Sequence, residues 1–201
     1  MINLWEEHMP YGVLCLVVLA LFYGIYFTKV LLQKRRGIQT RQMGRRKEKD
    51  LHRVEVLMAA ATGLIVPVQL LSIGFQWGCL PGGVRALGAV LGLVGDGIFL
   101  VAVLTMRDSW RAGIPETDRT EFVSTGIYRY SRNPAFLGFD LMYLGILLLF
   151  FNLPLLLFTL WAMVMLHLQI LQEERYLPTV FGTAYATYQK QVCRYLGRRR
   201  S

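Results

Sequence analysis

The sequence predicts an all-α integral membrane protein of about five transmembrane helices, with its N-terminus outside and a cytoplasmic, amphipathic helix near its C-terminus. Three observations carry that expectation. Hydrophobic residues make up 54% of the 201-residue chain and the mean hydropathy is +0.40, too apolar for a soluble domain. Charged residues make up 17% and are gathered into short segments between apolar runs. Those segments alternate: nine, five and six of the 22 Lys and Arg follow the first, third and fifth runs, and the intervening segments carry almost none. Basic residues on one side only are the positive-inside signature.

The run from Tyr11 to Leu32 is long enough to cross about 30 Å of hydrocarbon as a helix. The residues before it include Glu6 and Glu7 but no Lys or Arg and no small-residue cleavage site, so it reads as a retained span and not a signal peptide. Residues 33–53 form the most basic segment, which serves either as a topology signal or as a surface for the headgroups of anionic membrane lipids. Val54 to Gly74 forms a second span, in which Pro67 is expected to introduce a kink. The following turn, with Trp77 at the interface, leads into a third span from Val84 to Met106. Gly88, Gly92 and Gly95 recur there at intervals of four and three, a spacing suited to close helix packing, and a homodimer is a candidate assembly. Asp96, in the middle of this span, is costly at that depth and reads either as functional or as an interhelical hydrogen-bonding group.

Pro134 to Phe151 and Leu155 to about Gln172 form the fourth and fifth spans, an antiparallel hairpin turning at Asn152-Leu153-Pro154. The fifth is expected to end just past Glu173-Glu174. Two adjacent carboxylates oppose the dipole at a helix C-terminus, so a cationic neighbour is expected beside them. Between Phe181 and Val192, the residues Tyr185, Tyr188 and Val192 lie three and four apart on one helix face, which predicts a cytoplasmic amphipathic helix that either lies on the membrane surface or joins the site. The chain is expected to form a single structural domain: residues 1–106 supply three N-terminal helices, and residues 107–201 supply the functional core.

A net charge of +9 does not point to nucleic acid, because the basic residues follow topology and no nucleic-acid-binding motif accompanies them. Cys15, Cys79 and Cys193 have neither metal-ligand nor redox spacing. The G-x-x-G-x-G run in the third span is no dinucleotide loop, because no strand precedes it.

The stretch Thr125 to Asp140, T-G-I-Y-R-Y-S-R-N-P-A-F-L-G-F-D, is where chemistry is expected. Asn133 suits a helix N-cap and Pro134 the first turn, so a helix end with free N–H groups would face Arg129 and Arg132. That end suits a carboxylate or phosphate. On these residues alone, interfacial anchors with a cap explain the stretch equally well.

The run G-I-Y-R-Y-S-R-N-P-A-F-L-G, about 35 residues of apolar hairpin, E-E-R-Y-L and then F-G-T-A-Y-A-T-Y, in that order, resembles the isoprenylcysteine carboxyl methyltransferase and phospholipid methyltransferase superfamily. S-W-R-A-G-I, from Ser109 to Ile114, is similar to its bacterial members, which implies a bacterial cytoplasmic membrane. The resemblance implies an enzyme that uses S-adenosyl-L-methionine without a Rossmann domain, with its active site facing the cytoplasm and a lipophilic small molecule or lipid as methyl acceptor. It implies cofactor contacts from Thr120, Glu121, Phe122, Val123, Tyr128, Asn133, Pro134, Ala135, Phe136 and Glu173. Tyr128, Tyr130 and Phe136 are candidates for cation–π contact with the sulfonium. Arg132, Asn133 and Gln169 are implied on the substrate side as catalytic candidates.

Two departures accompany the resemblance. Asn133 and Phe136 stand where the superfamily usually has His and Tyr. Gln169 stands where the isoprenylcysteine enzymes place an Arg that engages the substrate carboxylate. His167 reads either as an interhelical hydrogen-bonding residue or as a base. Membrane sterol reductases share a similar loop and tail but use a nicotinamide phosphate and generally have more spans. A non-catalytic scaffold would leave the glutamate pair and Asp96 without a purpose.

Overall fold

The computed structural model describes residues 4–40, 49–76, 80–111 and 121–199, with side chains from residue 10 and, in the second segment, from residue 52. Five helices make up most of it: α1 (Leu4–Arg35), α2 (Lys49–Phe75), α3 (Gly82–Met106), α4 (Pro134–Leu149) and α5 (Leu153–Gln191). Two short 3-10 turns, Arg107–Ser109 and Gly126–Arg129, shape the connection between α3 and α4. The β pairing among the described residues is one isolated bridge between Val192 and Arg198. The fold class is therefore as expected, and the chain is a multi-pass membrane protein. Four helices are long and apolar enough to cross a membrane, while α4 is shorter.

Successive helices run in alternating directions, and tertiary contacts tie their ends together. At one end Gln33 donates to the Trp110 carbonyl at 3.0 Å and Arg36 pairs with Asp108 at 2.8 Å, which joins the C-termini of α1 and α3. At the other end Asn152 donates to Ser72 at 2.9 Å, and Tyr11 donates to the Gly82 carbonyl at 3.4 Å. Arg85 is the basic residue that falls at this second end. It is buried: its Nε donates to the Leu149 carbonyl at 3.1 Å and its guanidinium sits 3.9 Å over the Tyr11 ring.

The α3–α4 pair is the closest helix contact, and glycine makes it so. A Cβ at Gly145 would lie 2.5 Å from the Gly92 nitrogen, and one at Gly95 would lie 2.7 Å from the Gly138 carbonyl oxygen. Backbone touches backbone here, which brings in dispersion contacts that no larger residue permits. The glycine face of the third span thus packs inside the chain against α4, and is not a surface open to a second copy. Phe22 of α1 completes the core, stacking on Phe99 at 4.6 Å and meeting the edge of Phe139 at 4.6 Å. Helix α1 packs on α3 and α4, whereas α2 packs along α5.

Helix α2 carries Pro67 inside it and continues to Phe75. One expectation about the helices needs correction. The helix that carries the fifth span does not end just past Glu173-Glu174: α5 runs 39 residues, about 58 Å at 1.5 Å per residue, roughly twice the hydrocarbon thickness. Its one break is Gly182, at φ +55, where the chain needs the conformation that only glycine adopts without strain. The predicted tail helix is the part of α5 beyond that break.

Asp96 is 4% exposed and neither carboxylate oxygen has a hydrogen-bond partner among the described residues, so it does not serve as an interhelical bridge. Cys15 and Cys193 are free thiols, and Cys79 and Trp77 lie outside the described residues.

Candidate functional site

The site is built where the 121–133 segment, the start of α4, the middle of α5 and the tail converge. Glu121 is held to the end of α3 by its backbone N–H, which donates to the Ser109 hydroxyl at 3.0 Å. Gly126, at φ +59, turns the chain into the short 3-10 segment; a Cβ there would meet Thr105 at 3.0 Å. Pro134 then opens α4 at its first turn, as the sequence predicts.

Asn133 occupies the N-cap position but its side chain does not cap the helix. It donates to the Glu174 carboxylate at 3.1 Å and to the Arg194 carbonyl at 3.2 Å. The N–H groups of Ala135 and Phe136 consequently keep no intrahelical partner, and the positive helix end stays available. The cation expected beside the glutamate pair is present twice. Glu174 is buried and bonded to Arg132 at 3.0 Å and to Arg194 at 2.9 Å. The pair lies inside α5, so it opposes no helix end.

Glu173 points elsewhere. It lines a cleft of about 1000 Å³, counted with its open mouth, and receives a hydrogen bond from Gln169 at 3.1 Å. The cleft is walled by Glu121, Phe122, Val123, Tyr128, Arg132, Asn133, Ala135, Phe136 and Glu173, all singled out from the sequence. Arg132 contributes a guanidinium whose Nε and Nη1 are buried and have no hydrogen-bond partner. Of the remaining candidates, Pro134 is buried in the first turn of α4, Thr120 lies outside the described residues, and Tyr130 is 58% exposed and away from the cleft.

The tail covers the cleft. Beyond Gly182, Tyr185 and Tyr188 pack on Phe122 at 6.0 and 5.4 Å, and Tyr188 donates to the Tyr128 carbonyl at 2.7 Å. Tyr185, Tyr188 and Val192 do share one face, and it packs on Phe122, Leu177 and Phe181. Burial pushes the Tyr185 phenol up to about 12, and it likewise raises Tyr128 and Tyr188 well above the usual tyrosine range. These phenols therefore stay protonated, as donors. His167 bonds the Tyr195 hydroxyl at 2.6 Å and stacks on its ring, tying α5 to the tail and not to a neighbouring helix.

A second cavity of about 970 Å³, again counted with its open mouth, lies between α1, α2, α4 and α5. Tyr26 and Phe27, Met58 and Ala59, Phe139 and Leu166 make it largely apolar, and Gln169 lines it. Trp110, Arg111, Ala135 and Phe136 line both cavities and form the wall between them. The site thus offers a polar, aromatic chamber next to an apolar one, with the Gln169–Glu173 hydrogen bond running from one to the other.

Sequence reasoning missed several residues here. It passed over Asp140, the one charge in the fourth apolar run, which is 9% exposed and leaves Oδ1 without a partner. Arg111 and Trp110 lay within the quoted S-W-R-A-G-I run without a role. Phe181, which the sequence analysis gave no role, lies four residues before Tyr185 on the same helical spacing, but nothing local says that Phe122 is what they cover.

A family model described as phospholipid methyltransferase matches residues 85–184, about half of the chain. The protein-S-isoprenylcysteine O-methyltransferase of Saccharomyces cerevisiae is 30% identical over 111 residues, which cover 53% of this chain and 46% of that protein. The Schizosaccharomyces pombe protein of the same name is 39% identical over 71 residues, covering 35% and 30%. The chain thus matches less than half the length of these curated relatives. The matched region runs from the buried Arg85 through the glycine-packed α3–α4 pair, the cleft and the glutamate pair to the Gly182 break, and it places the chain in the phospholipid methyltransferase family.

Proposed function

We propose that this protein is a membrane-embedded methyltransferase that transfers a methyl group from S-adenosyl-L-methionine to a lipophilic acceptor, with the cleft opening at the cytoplasmic face. The observation that carries this is the pair of cavities meeting at Trp110, Arg111, Ala135 and Phe136. A transfer between a water-soluble donor and a membrane-dissolved acceptor needs two unlike chambers that share one wall.

The cleft's groups fit such a donor. When bound, it supplies an electrophilic methyl on a sulfonium, together with a carboxylate, an ammonium and an adenosine. Arg132, with two unpartnered N–H groups, and the open N-terminus of α4 suit the carboxylate. Glu173 suits the positive end, and Phe122, Tyr128 and Phe136 offer ring faces to a cation. The tail residues Tyr185 and Tyr188 close over this chamber and exclude water. The chain's contribution to rate is then positioning and desolvation. The acceptor reaches the second cavity sideways from the bilayer, between α1 and α2, each of which packs against other helices.

Calorimetric binding of S-adenosylhomocysteine to detergent-purified protein tests this. Micromolar binding is expected, lost in Glu173→Ala while the variant keeps its helical circular dichroism and monodisperse elution. A folded wild-type sample that binds no S-adenosylhomocysteine refutes the proposal.

A further inference from the structure

We infer that the loop after α5, residues 193–199, docks on anionic phospholipid headgroups of the leaflet beside the cleft, and that this docking holds the tail closed. The closure rests on the methyltransferase reading, which makes the cleft a cofactor chamber. Backbone bonds pin the loop to the bundle: the Arg132 N–H donates to the Cys193 carbonyl at 3.1 Å, and the Gly197 N–H to the Tyr130 carbonyl at 2.7 Å. Two side chains reach inward, Arg194 to Glu174 at 2.9 Å and Tyr195 to His167 at 2.6 Å. Leu196 turns outward instead and is 71% exposed, close to the exposed Tyr130.

The helices fix the depth of this patch. Helix α4 has 16 residues, about 24 Å at 1.5 Å per residue, and so falls short of about 30 Å of hydrocarbon. Tyr130, just before it, therefore lies near the boundary between acyl chains and headgroups. His167 lies about 21 Å along α5 from Leu153, so the Tyr195 hydroxyl is anchored within the hydrocarbon depth. A lone exposed Leu is ordinary on a water-facing surface, but this one is pinned at that boundary and meets acyl chain. The rim around it is cationic: Arg129 adjoins Tyr130, Arg198 and Arg199 follow Gly197, and all three are exposed. Of the four carboxylates between residues 121 and 199, Glu121 and Glu173 line the cleft and Asp140 and Glu174 are buried, so that half of the chain sets no counter-charge on the rim. An apolar tip ringed by arginines suits an acyl chain at its centre and phosphates at its edge. The loop continues directly from Tyr188, which donates to the Tyr128 carbonyl at 2.7 Å, so headgroups that hold Arg198 and Arg199 also hold the cover of the cleft.

Nanodiscs of phosphatidylcholine, alone or mixed with phosphatidylglycerol, test this on the intact chain. Docking is read with Leu196→Trp in mixed discs whose lipids carry brominated chains; its fluorescence should be quenched beyond that of the wild-type tryptophans. Closure is read by calorimetry: S-adenosylhomocysteine should bind about fivefold more tightly with phosphatidylglycerol present, the effect of one arginine at an anionic surface. High salt should shrink that gain. Arg198→Gln/Arg199→Gln should abolish it while keeping the affinity seen in phosphatidylcholine. Absence of added quenching at Leu196→Trp, equal affinity in the two discs, or a gain that persists in the double variant overturns the inference and leaves the methyltransferase reading standing. A folded wild type that binds no S-adenosylhomocysteine in either disc overturns that reading and the closure with it, and the quenching then decides the docking alone.

Discussion

Glu174→Gln removes the one carboxylate that two guanidinium groups and an amide share. Arg132 and Glu174 are buried together, their side chains 4% and 5% exposed, at 3.0 Å. Taking away one partner of such a pair leaves the other as an uncompensated buried charge, at a cost of about 3–5 kcal/mol. Arg132 has no reserve, since its Nε and Nη1 already lack partners. The Arg194 pair adds little, because its guanidinium is 36% exposed and an ion pair that solvent reaches contributes about 0–1 kcal/mol. The neutral amide of Gln keeps the shape and an acceptor for Asn133, so the loss isolates the charge. Thermal unfolding in detergent should fall by about 10 °C, taking about 2–4 °C per kcal/mol for a chain of this size. Arg194→Ala should cost a few degrees at most. Replacing both members of the buried pair, Arg132→Met with Glu174→Leu, should recover most of the stability, because no charge is then stranded. Equal melting temperatures for Glu174→Gln and wild type, or a larger loss in Arg194→Ala than in Glu174→Gln, would refute the reasoning.

Three further outcomes follow from the geometry. Gly145→Val places side-chain carbon against the Gly92 backbone, which cannot rotate away, so α3 and α4 must separate; a loss of about 3 kcal/mol or more is expected in reversible unfolding, against under 1 kcal/mol for Gly97→Val, which faces open space. Tyr188→Phe deletes the 2.7 Å bond to the Tyr128 carbonyl, costing about 1 kcal/mol, and should weaken S-adenosylhomocysteine severalfold by loosening the cover of the cleft. Tyr128, Tyr185 and Tyr188 have folded-state pKa values raised by burial above the unfolded value of about 10, so the stability they carry is complete below pH ~10 and is lost as pH rises through the folded values. The melting temperature should therefore drop from pH 10 upward, with a shallower slope in Tyr185→Phe/Tyr188→Phe; a melting temperature that rises over that range contradicts the burial.

The sequence by itself determined the helical class and the number and alternation of the apolar helices. Hydrocarbon thickness sets span length, and charge placement sets direction; both act through composition within single segments. It also placed the start of α4 at Pro134, and eight of the 19 residues that line the cleft were legible because they fall in one run leading into that helix N-terminus. What only the tertiary structure decided is what each of these groups faces. Glu173 and Glu174 are neighbours in sequence, yet the helical rotation of about 100° per residue aims one at the cleft and buries the other between Arg132 and Arg194. Arg194 lies 20 residues further along the chain, beyond the Gly182 break, so no local pattern encodes that contact. The same holds for the glycine stripe of α3, whose spacing announces close packing but not the partner. Gly138 and Gly145 of α4 fill it, because only two glycine faces let the backbones approach to that distance.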